Sequence, residues 1–389
     1  MPEFSFVIPV YNGMPYLEAC LGSLLDQTFD DIEVICVDDC STDGSLEALE
    51  ACARRDSRVH VLKQPENQGS ARARRRGVLA SRGAYVLFSD QDDSYDRATC
   101  EAVRQLVAER PVDILQYGTL VVNEGGVEQG EIAGLESWLA PYEGVLRGRS
   151  ILDECFVNLT FGYSIWNKAY KGDLARRAFL SMEDVSVPLG EDNYESFVLF
   201  YFAETYRGVP RSLYRYHYGR GYTGHAQQSA ASFRRTCGLS TAADLIKLFL
   251  AAQGTFDEYK KTYEAARRHM LRYTFDRWAV EVPDSDKIDA LRYLLEAWPY
   301  AEVLEYVAEN RPRDLADLLD ARFGSCSPAS LDAVGGEELS DLVLELRKLS
   351  GACREKDDRI AAKRQEFEDS RAYRVGRMLT SPLRRVKGE

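Results

Sequence analysis

The chain has 389 residues, 45% of them hydrophobic and 29% charged, which is the composition of folded domains and excludes long disorder. Lys and Arg number 49 against 62 Asp and Glu, a formal net charge of −13, so the chain is a poor non-specific nucleic-acid binder and no nucleic-acid partner is expected. No apolar run approaches the roughly 18 residues that span a bilayer, and Met1-Pro2-Glu3-Phe4 lacks the start of a signal peptide, so a cytoplasmic protein is expected. Nine cysteines of scattered spacing, with no C-x-x-C, read as buried free thiols.

In chain order, the first 118 residues alternate between two periods. Phe4–Ile8 is a short apolar run that ends at Pro9, a buried strand. Pro15–Gln27 has helical apolar spacing at Leu17, Cys20, Leu21, Leu24 and Leu25. Strands follow at Ile32–Val37, Val59–Leu62 and Tyr85–Phe88, and a fifth at Asp113–Tyr117. Helices lie between them at Ser45–Arg54, Gly69–Ala80 and Asp96–Ala108. This alternation predicts a largely parallel sheet with helices on both faces. Ligands then sit beyond the carboxyl ends of the strands, at the loops Val10–Gly13, Asp38–Gly44, Pro65–Gly69 and Ser89–Asp93.

From Leu120 to Arg149 the alternation lapses into a glycine-rich, acidic stretch, read as an insertion with little regular structure. Mixed elements return from Ser150 to about Tyr218, and helical spacing dominates beyond residue 228. Leu339, Leu342, Leu346, Leu349, Cys353, Ile360 and Phe367 share one three-four register. That pattern fits a short coiled coil, a homodimer contact through residues 339–367, or equally one long amphipathic helix packed on its own domain. The segment Arg371–Glu389 has six basic residues and one acid among apolar positions. It reads either as a contact with an anionic membrane surface or as a solvated end. The expected domains are 1–225, with the insertion at 120–149, then a helical domain 226–335, then 336–389.

The strongest chemical signal is Ser89-Asp90-Gln91-Asp92-Asp93. Three carboxylates within four positions at a strand's carboxyl end repel one another. A hard divalent cation, which would in turn hold a diphosphate, offsets that repulsion. The alternative is a solvated acidic turn, with Asp93 or Ser94 capping the next helix. On the same sheet edge lie Pro9-Val10-Tyr11-Asn12-Gly13, then Asp38-Asp39-Cys40-Ser41-Thr42-Asp43-Gly44-Ser45, then Glu66-Asn67-Gln68-Gly69 leading into Arg72, Arg74, Arg75 and Arg76. Asp38 and Asp39 are of the type that accepts hydrogen bonds from a base or ribose. One or two of the arginines, near a helix start, suit a phosphate.

Taken together, these loops resemble the family 2 glycosyltransferases of the GT-A fold. The patterns I-P-x-Y-N, D-D-x-S-x-D-x-S, N-x-G…A-R and D-x-D-D occur in order over about 93 residues. They continue through Trp166-Asn167-Lys168-Ala169-Tyr170-Lys171, Gly190-Glu191-Asp192 and Leu213-Tyr214-Arg215-Tyr216. The resemblance implies an α/β GT-A fold, Rossmann-like with a mostly parallel sheet, followed by a mainly α-helical region. It implies that Pro9, Tyr11 and Asp39 bind the uracil and ribose of a donor, that Asn67 and Arg74 approach base and phosphates, and that Asp90 faces the ribose. It also implies that Asp92 ligates the metal with Asp90 beside it, that Asp192 of the Glu191-Asp192 pair is the catalytic base, and that Trp166 and Lys168 lie near acceptor and diphosphate. Without the resemblance, Asp192 reads as the cap of the helix it begins. Cys40 stands where the family usually has glycine, Gln91 where a small residue is common, and Arg75 where asparagine is usual.

His217 and His225 flank the glycine-rich run Tyr218–Gly224. Read as a lid over a diphosphate, this loop would bring Arg220 and Thr223 to phosphate and His217 or His225 to the metal; read otherwise, it is an exposed linker. The expected activity is inverting, Mn²⁺- or Mg²⁺-dependent transfer of a sugar from a nucleotide diphosphate-sugar, a UDP-sugar first. The acceptor would be a hydroxyl of a cell-surface glycan or a lipid-linked intermediate, at the inner face of the plasma membrane if the basic tail binds there. The rivals are a non-catalytic sugar-nucleotide-binding scaffold and a sugar nucleotidyltransferase.

Overall fold

A computed structural model describes residues 1–220 and 227–299, and residues 302, 303, 305, 306 and 344 beyond them. The chain divides into two compact units, Met1–Ala290 and Leu291–Glu389. The seam at residues 339–367, apart from residue 344, the basic tail, Thr223 and His225 lie outside the described residues. Among the described residues no helix is long and apolar enough to cross a membrane.

The first unit is built on one mixed sheet. Its parallel part runs β3 (Val59–Lys63), β2 (Ile32–Asp38), β1 (Phe4–Val10), β4 (Tyr85–Phe88). β2 is buried at every position, as its uninterrupted Ile-Val-Ile-Cys-Val content requires of a strand covered on both faces. Helix α3 (Ser70–Ala80) packs on β1 and β2. Gly77 permits that approach, since a Cβ there would lie 2.5 Å from Val7 Cγ1. Helices α1 (Leu17–Leu25) and α2 (Ser45–Arg55) complete the alternation.

Beyond β4 the sheet departs from the simple parallel expectation. The fifth strand of the sequence pattern, β6 (Ile114–Asn123), does not lie beside β4. β8 (Lys168–Lys171) inserts between them, antiparallel to both. β9 (Thr205–Tyr218) pairs parallel with β6 and antiparallel with the short β5 (Ser94–Tyr95) and with β7 (Gly144–Arg147). Local periodicity did not reveal this arrangement because β8 arrives from more than fifty residues downstream.

Two expectations are corrected. The stretch 120–149 is not irregular: β6 continues to Asn123, α5 covers Gln129–Leu139, and β7 follows. Glycines at 126, 130 and 134 obscured a helix whose stability comes from burying Ile132 and Leu139 rather than from propensity. The helix expected from Asp96 starts at Thr99 (α4, Thr99–Glu109), because residues 94–95 form β5.

Helices α6 (Ser150–Phe156), α7 (Gly172–Ser181) and α8 (Glu191–Phe202) flank the second half of the sheet. Helices α9 (Ala230–Thr236), α10 (Leu239–Ala252) and α11 (Phe256–Glu281) belong to the same compact unit. α10 packs on α8 and α11 on α6, and Thr262 Oγ1 donates to Asp153 at 2.5 Å.

Substituting Gly77→Ala is expected to lower stability by about 1–3 kcal/mol through overpacking. Gly22→Ala, on an α1 face with nothing within 4 Å of the new Cβ, is expected to be neutral or to add about 0.5–1 kcal/mol. Urea midpoints of the two variants check the contrast.

Candidate active site

The carboxyl ends of β1, β2 and β4 open on a cavity of about 710 Å³. Side-chain to backbone hydrogen bonds stitch the loops that form its floor. Asn12 Oδ1 accepts from the Thr42 amide at 2.8 Å, and the amides of Asn12, Gly13 and Met14 donate to Ser41, Ser45 and Asp43. Both Asp39 oxygens accept backbone amides, from Gln68 at 2.8 Å and Gly69 at 2.7 Å, which fixes the entry into α3. Gln91 closes the opposite side: its Oε1 accepts from Tyr11 N at 2.9 Å and its Nε2 donates to Tyr11 O at 3.0 Å. Cys40 adopts φ +65°, a left-handed conformation that favours glycine, so the departure noted in the sequence sits where a side chain is conformationally costly.

Arg74 occupies the centre. Its guanidinium is buried, with Nη1 donating to Asp192 Oδ1 at 2.8 Å and Glu195 Oε2 at 3.0 Å, and Nη2 donating to Asp90 Oδ1 at 3.2 Å. Glu191 lies 3.9 Å from Nη1 and accepts from Ser70 Oγ at 2.7 Å. Burial pushes the Asp192 carboxyl up to about 6, while the Arg74 charge pulls the other way. Asp192 does not cap α8; Gly190 is the cap position and Asp192 lies in the first turn, on the cavity wall. The other three arginines turn elsewhere: Arg72 to Asp184, Arg75 to the Phe179 carbonyl, Arg76 to the Lys63 carbonyl.

The acidic loop separates into distinct roles. Asp90 and Asp92 line the cavity. Burial, then the Asp90 charge, push the Asp92 carboxyl up to about 6. Asp93 points inward and caps no helix: it accepts from Tyr214 OH at 2.8 Å and His217 N at 2.8 Å. Its burial raises its proton affinity well above the carboxylate range.

Pro9, Tyr11, Asp39, Arg74, Asp90, Asp92, Glu191, Asp192 and His217 thus share one cavity. Three expected residues do not line it, and a fourth, His217, lines it with its ring nitrogens engaged. Asn67 is exposed and does not line it. Lys168 is buried on the far side of its loop, its Nζ donating to Gly162 O, Ser164 O and Asn167 Oδ1 at 3.0, 2.6 and 2.9 Å. Burial lowers its pKa to about 7, and its role here is to pin the loop that carries Tyr163 and Trp166. Arg220 donates to Glu124 at 2.6 Å and to the Asp92 carbonyl at 3.2 Å. His217 shares both ring nitrogens, with Ser94 at 3.2 Å and Glu124 at 3.0 Å, so neither is open to a metal in this arrangement. Among the described residues no group of three metal-capable side chains converges.

Of the aromatic half of the cavity, the sequence reading named Trp166, which lines it, and missed Trp138, Tyr163 and Tyr273. Trp138 of α5 meets Tyr163 edge-on with centroids 5.2 Å apart, and Tyr273 of α11 faces the same space. Trp166 stacks on Tyr214 and Tyr216 at 4.5 and 5.2 Å. The signal for Trp138 was present as apolar residues at 132, 135, 138 and 139. None existed for Tyr273, which sits on a helix assigned to a separate domain.

Comparison with known proteins agrees with this architecture. Residues 5–163 match the family model described as glycosyl transferase family 2. The chain is 32% identical over 229 residues to the putative glycosyltransferase EpsH of Bacillus subtilis, covering 55% of this chain and 60% of that one. It is 30% identical over 220 residues to the glycosyltransferase GlyA of Streptococcus pneumoniae, covering 56% and 31%. Its fold is similar to that of S. aureus TarS residues 1–349, solved in complex with UDP, with TM-score 0.52, 20% identity and 92% of each chain covered. The segment 5–163 is therefore similar to glycosyl transferase family 2, and the fold is like that of TarS. The chain spans about a third to three-fifths of the length of these two curated relatives.

Replacing Tyr214 with phenylalanine leaves the buried Asp93 oxygen short of a donor. It is expected to cost about 1–3 kcal/mol, read as a lowered denaturation midpoint with the backbone fold unchanged by circular dichroism.

Proposed function

We propose that this protein is an inverting, metal-dependent glycosyltransferase. It takes a sugar from a nucleotide diphosphate donor, a UDP-sugar first among candidates, to a hydroxyl of a cell-surface glycan or lipid-linked acceptor. One observation carries the reading: the donor-side residues Tyr11, Asp39, Asp90 and Asp92 and the carboxyl of Asp192 line a single cavity. The UDP complex of TarS supports the choice of donor.

Direct displacement needs a base opposite the leaving group and no enzyme nucleophile. Asp192 suits that base. It reaches the cavity from the start of α8, Arg74 fixes one of its oxygens, and its raised proton affinity makes it a stronger acceptor than an exposed aspartate while leaving it ionised at neutral pH. The partly exposed faces of Trp138, Tyr163 and Tyr273 give the cavity an aromatic side suited to the C–H face of a pyranose ring.

A divalent ion fits the donor side. Asp92 and Asp90 are oxygen donors on the cavity wall, and burial, with the Asp90 charge second, raises the Asp92 carboxyl. These two carboxylates would hold Mn²⁺ or Mg²⁺, with the donor's phosphates as further oxygen ligands. Such an ion neutralises charge developing on the departing nucleotide diphosphate.

Assay of nucleotide diphosphate released from a panel of nucleotide sugars tests the reading. Asp192→Asn is expected to lower kcat by about 10²–10⁴ with nucleotide affinity retained, and Asp92→Ala to abolish the response to metal. Burial raises the Asp192 carboxyl to about 6, and the base acts as an anion, so activity should fall as pH drops through about 6. A flat profile between pH 5 and 8, or full activity in Asp192→Asn, refutes the base assignment.

A further inference from the structure

The mechanism uses Asp192 and Asp90 but leaves a third carboxylate unexplained. Glu195 lies on α8 three residues past Asp192 and four past Glu191, so all three project from one helix face. Its side chain is 2% exposed and does not line the cavity. A buried anion beside two like charges is unfavourable unless a cation compensates it. Arg74 is that cation, with Nη1 shared between Glu195 Oε2 and Asp192 Oδ1. Glu195 Oε1 is buried and makes no hydrogen bond among the described residues, as is true of Arg74 Nε. Glu195 therefore has no contact that competes with its hold on Arg74.

Resting on the glycosyltransferase reading above, we propose that Glu195 is a positioning residue. From behind the cavity it holds the Arg74 guanidinium where it bridges the donor-side Asp90 and the base Asp192. A guanidinium is planar, so fixing Nη1 between two carboxylates of α8 also aims Nη2 at Asp90. Without Glu195, Arg74 keeps one exposed-side anchor on each side of the cavity and loses its buried one. The two carboxylates that face donor and acceptor then lose their fixed separation. Glutamine at 195 retains an acceptor for Nη1 in the same volume, whereas alanine retains none.

The test has two arms on the full chain. In ¹⁵N-arginine-labelled protein, a guanidinium locked by charge-assisted bonds gives resolved, slowly exchanging Nη protons, assigned to Arg74 by their loss in Arg74→Lys. These signals are expected in the wild type and in Glu195→Gln and are expected to be averaged away in Glu195→Ala. In the donor-release assay, Glu195→Ala is expected to lose about 10- to 100-fold in kcat, the scale of a misplaced reacting group. Donor KM should move less than about threefold, and Glu195→Gln should restore kcat to within about threefold of wild type. Persistence of the Arg74 signals in Glu195→Ala, their absence in the wild type, wild-type kcat in Glu195→Ala, or equal loss in both variants overturns the proposal. If the wild type turns over no donor, the glycosyltransferase reading fails and the arginine spectrum alone decides whether Glu195 holds Arg74. Glu195→Leu replaces the alanine variant if the latter does not fold.

Discussion

The buried guanidinium of Arg74 is the contact on which the cavity's charge balance depends. One cation within hydrogen-bond reach of Asp90, Asp192 and Glu195, and 3.9 Å from Glu191, leaves the cluster with excess negative charge. Burial first, with the neighbouring carboxylates adding to it, raises the proton affinities of Asp192 and Glu195, and the Arg74 charge opposes that rise. The same imbalance makes this end of the cavity a poor phosphate site until a cation joins it. An arginine on its own would attract the diphosphate, but here its charge is already shared among carboxylates.

What keeps these charges apart is backbone geometry. Each donor-side loop is tied to the next strand's loop by a side chain that accepts from main-chain amides: Asn12 to Thr42, Asp39 to Gln68 and Gly69, Gln91 to Tyr11. Loops held this way need little reorganisation when a ligand arrives, the condition under which fixed dipoles stabilise developing charge. Asp93 adds to this from below. It is bound to Tyr214 and to the His217 amide, so it anchors β9 under the acidic loop and leaves Asp90 and Asp92 to face the cavity.

The donor side was legible in the sequence because its residues lie in contiguous motifs at strand ends, where the next few residues decide both the turn and the chemistry. Tyr11, Asp39, Asp90 and Asp92 reach the cavity from such positions, and Asp192 from the first turn of α8. What escaped depends on partners distant in sequence. Lys168 stands in a motif as conspicuous as the others, yet the carbonyls of Gly162 and Ser164 draw it inward. His217 looks available until Ser94 and Glu124 occupy its ring. Asp93 and Asp92 are adjacent and chemically identical, and only the strand pairing of β5 with β9 sends one inward and the other out. Glu195 was invisible for the same reason, since its one partner is 121 residues away.

The helices after the sheet are part of the site rather than an appendage to it. Gly190, just before α8, has φ +87°, and a Cβ there would fall 2.5 Å from Leu239 Cδ2. Glycine thus satisfies two constraints at once: it turns the chain into the helix bearing Asp192 and lets α10 close on that turn. That closure brings Leu239, and α11 brings Tyr273, to the cavity wall opposite the donor loops. The half of the cavity formed by the loops after β1, β2 and β4 is built from the segment that matches the family model, residues 5–163. Much of the opposite wall comes from α8, α10 and α11, outside that segment. The family match thus covers the loops at the carboxyl ends of β1, β2 and β4, while Asp192, Leu239 and Tyr273 reach the same cavity from outside it.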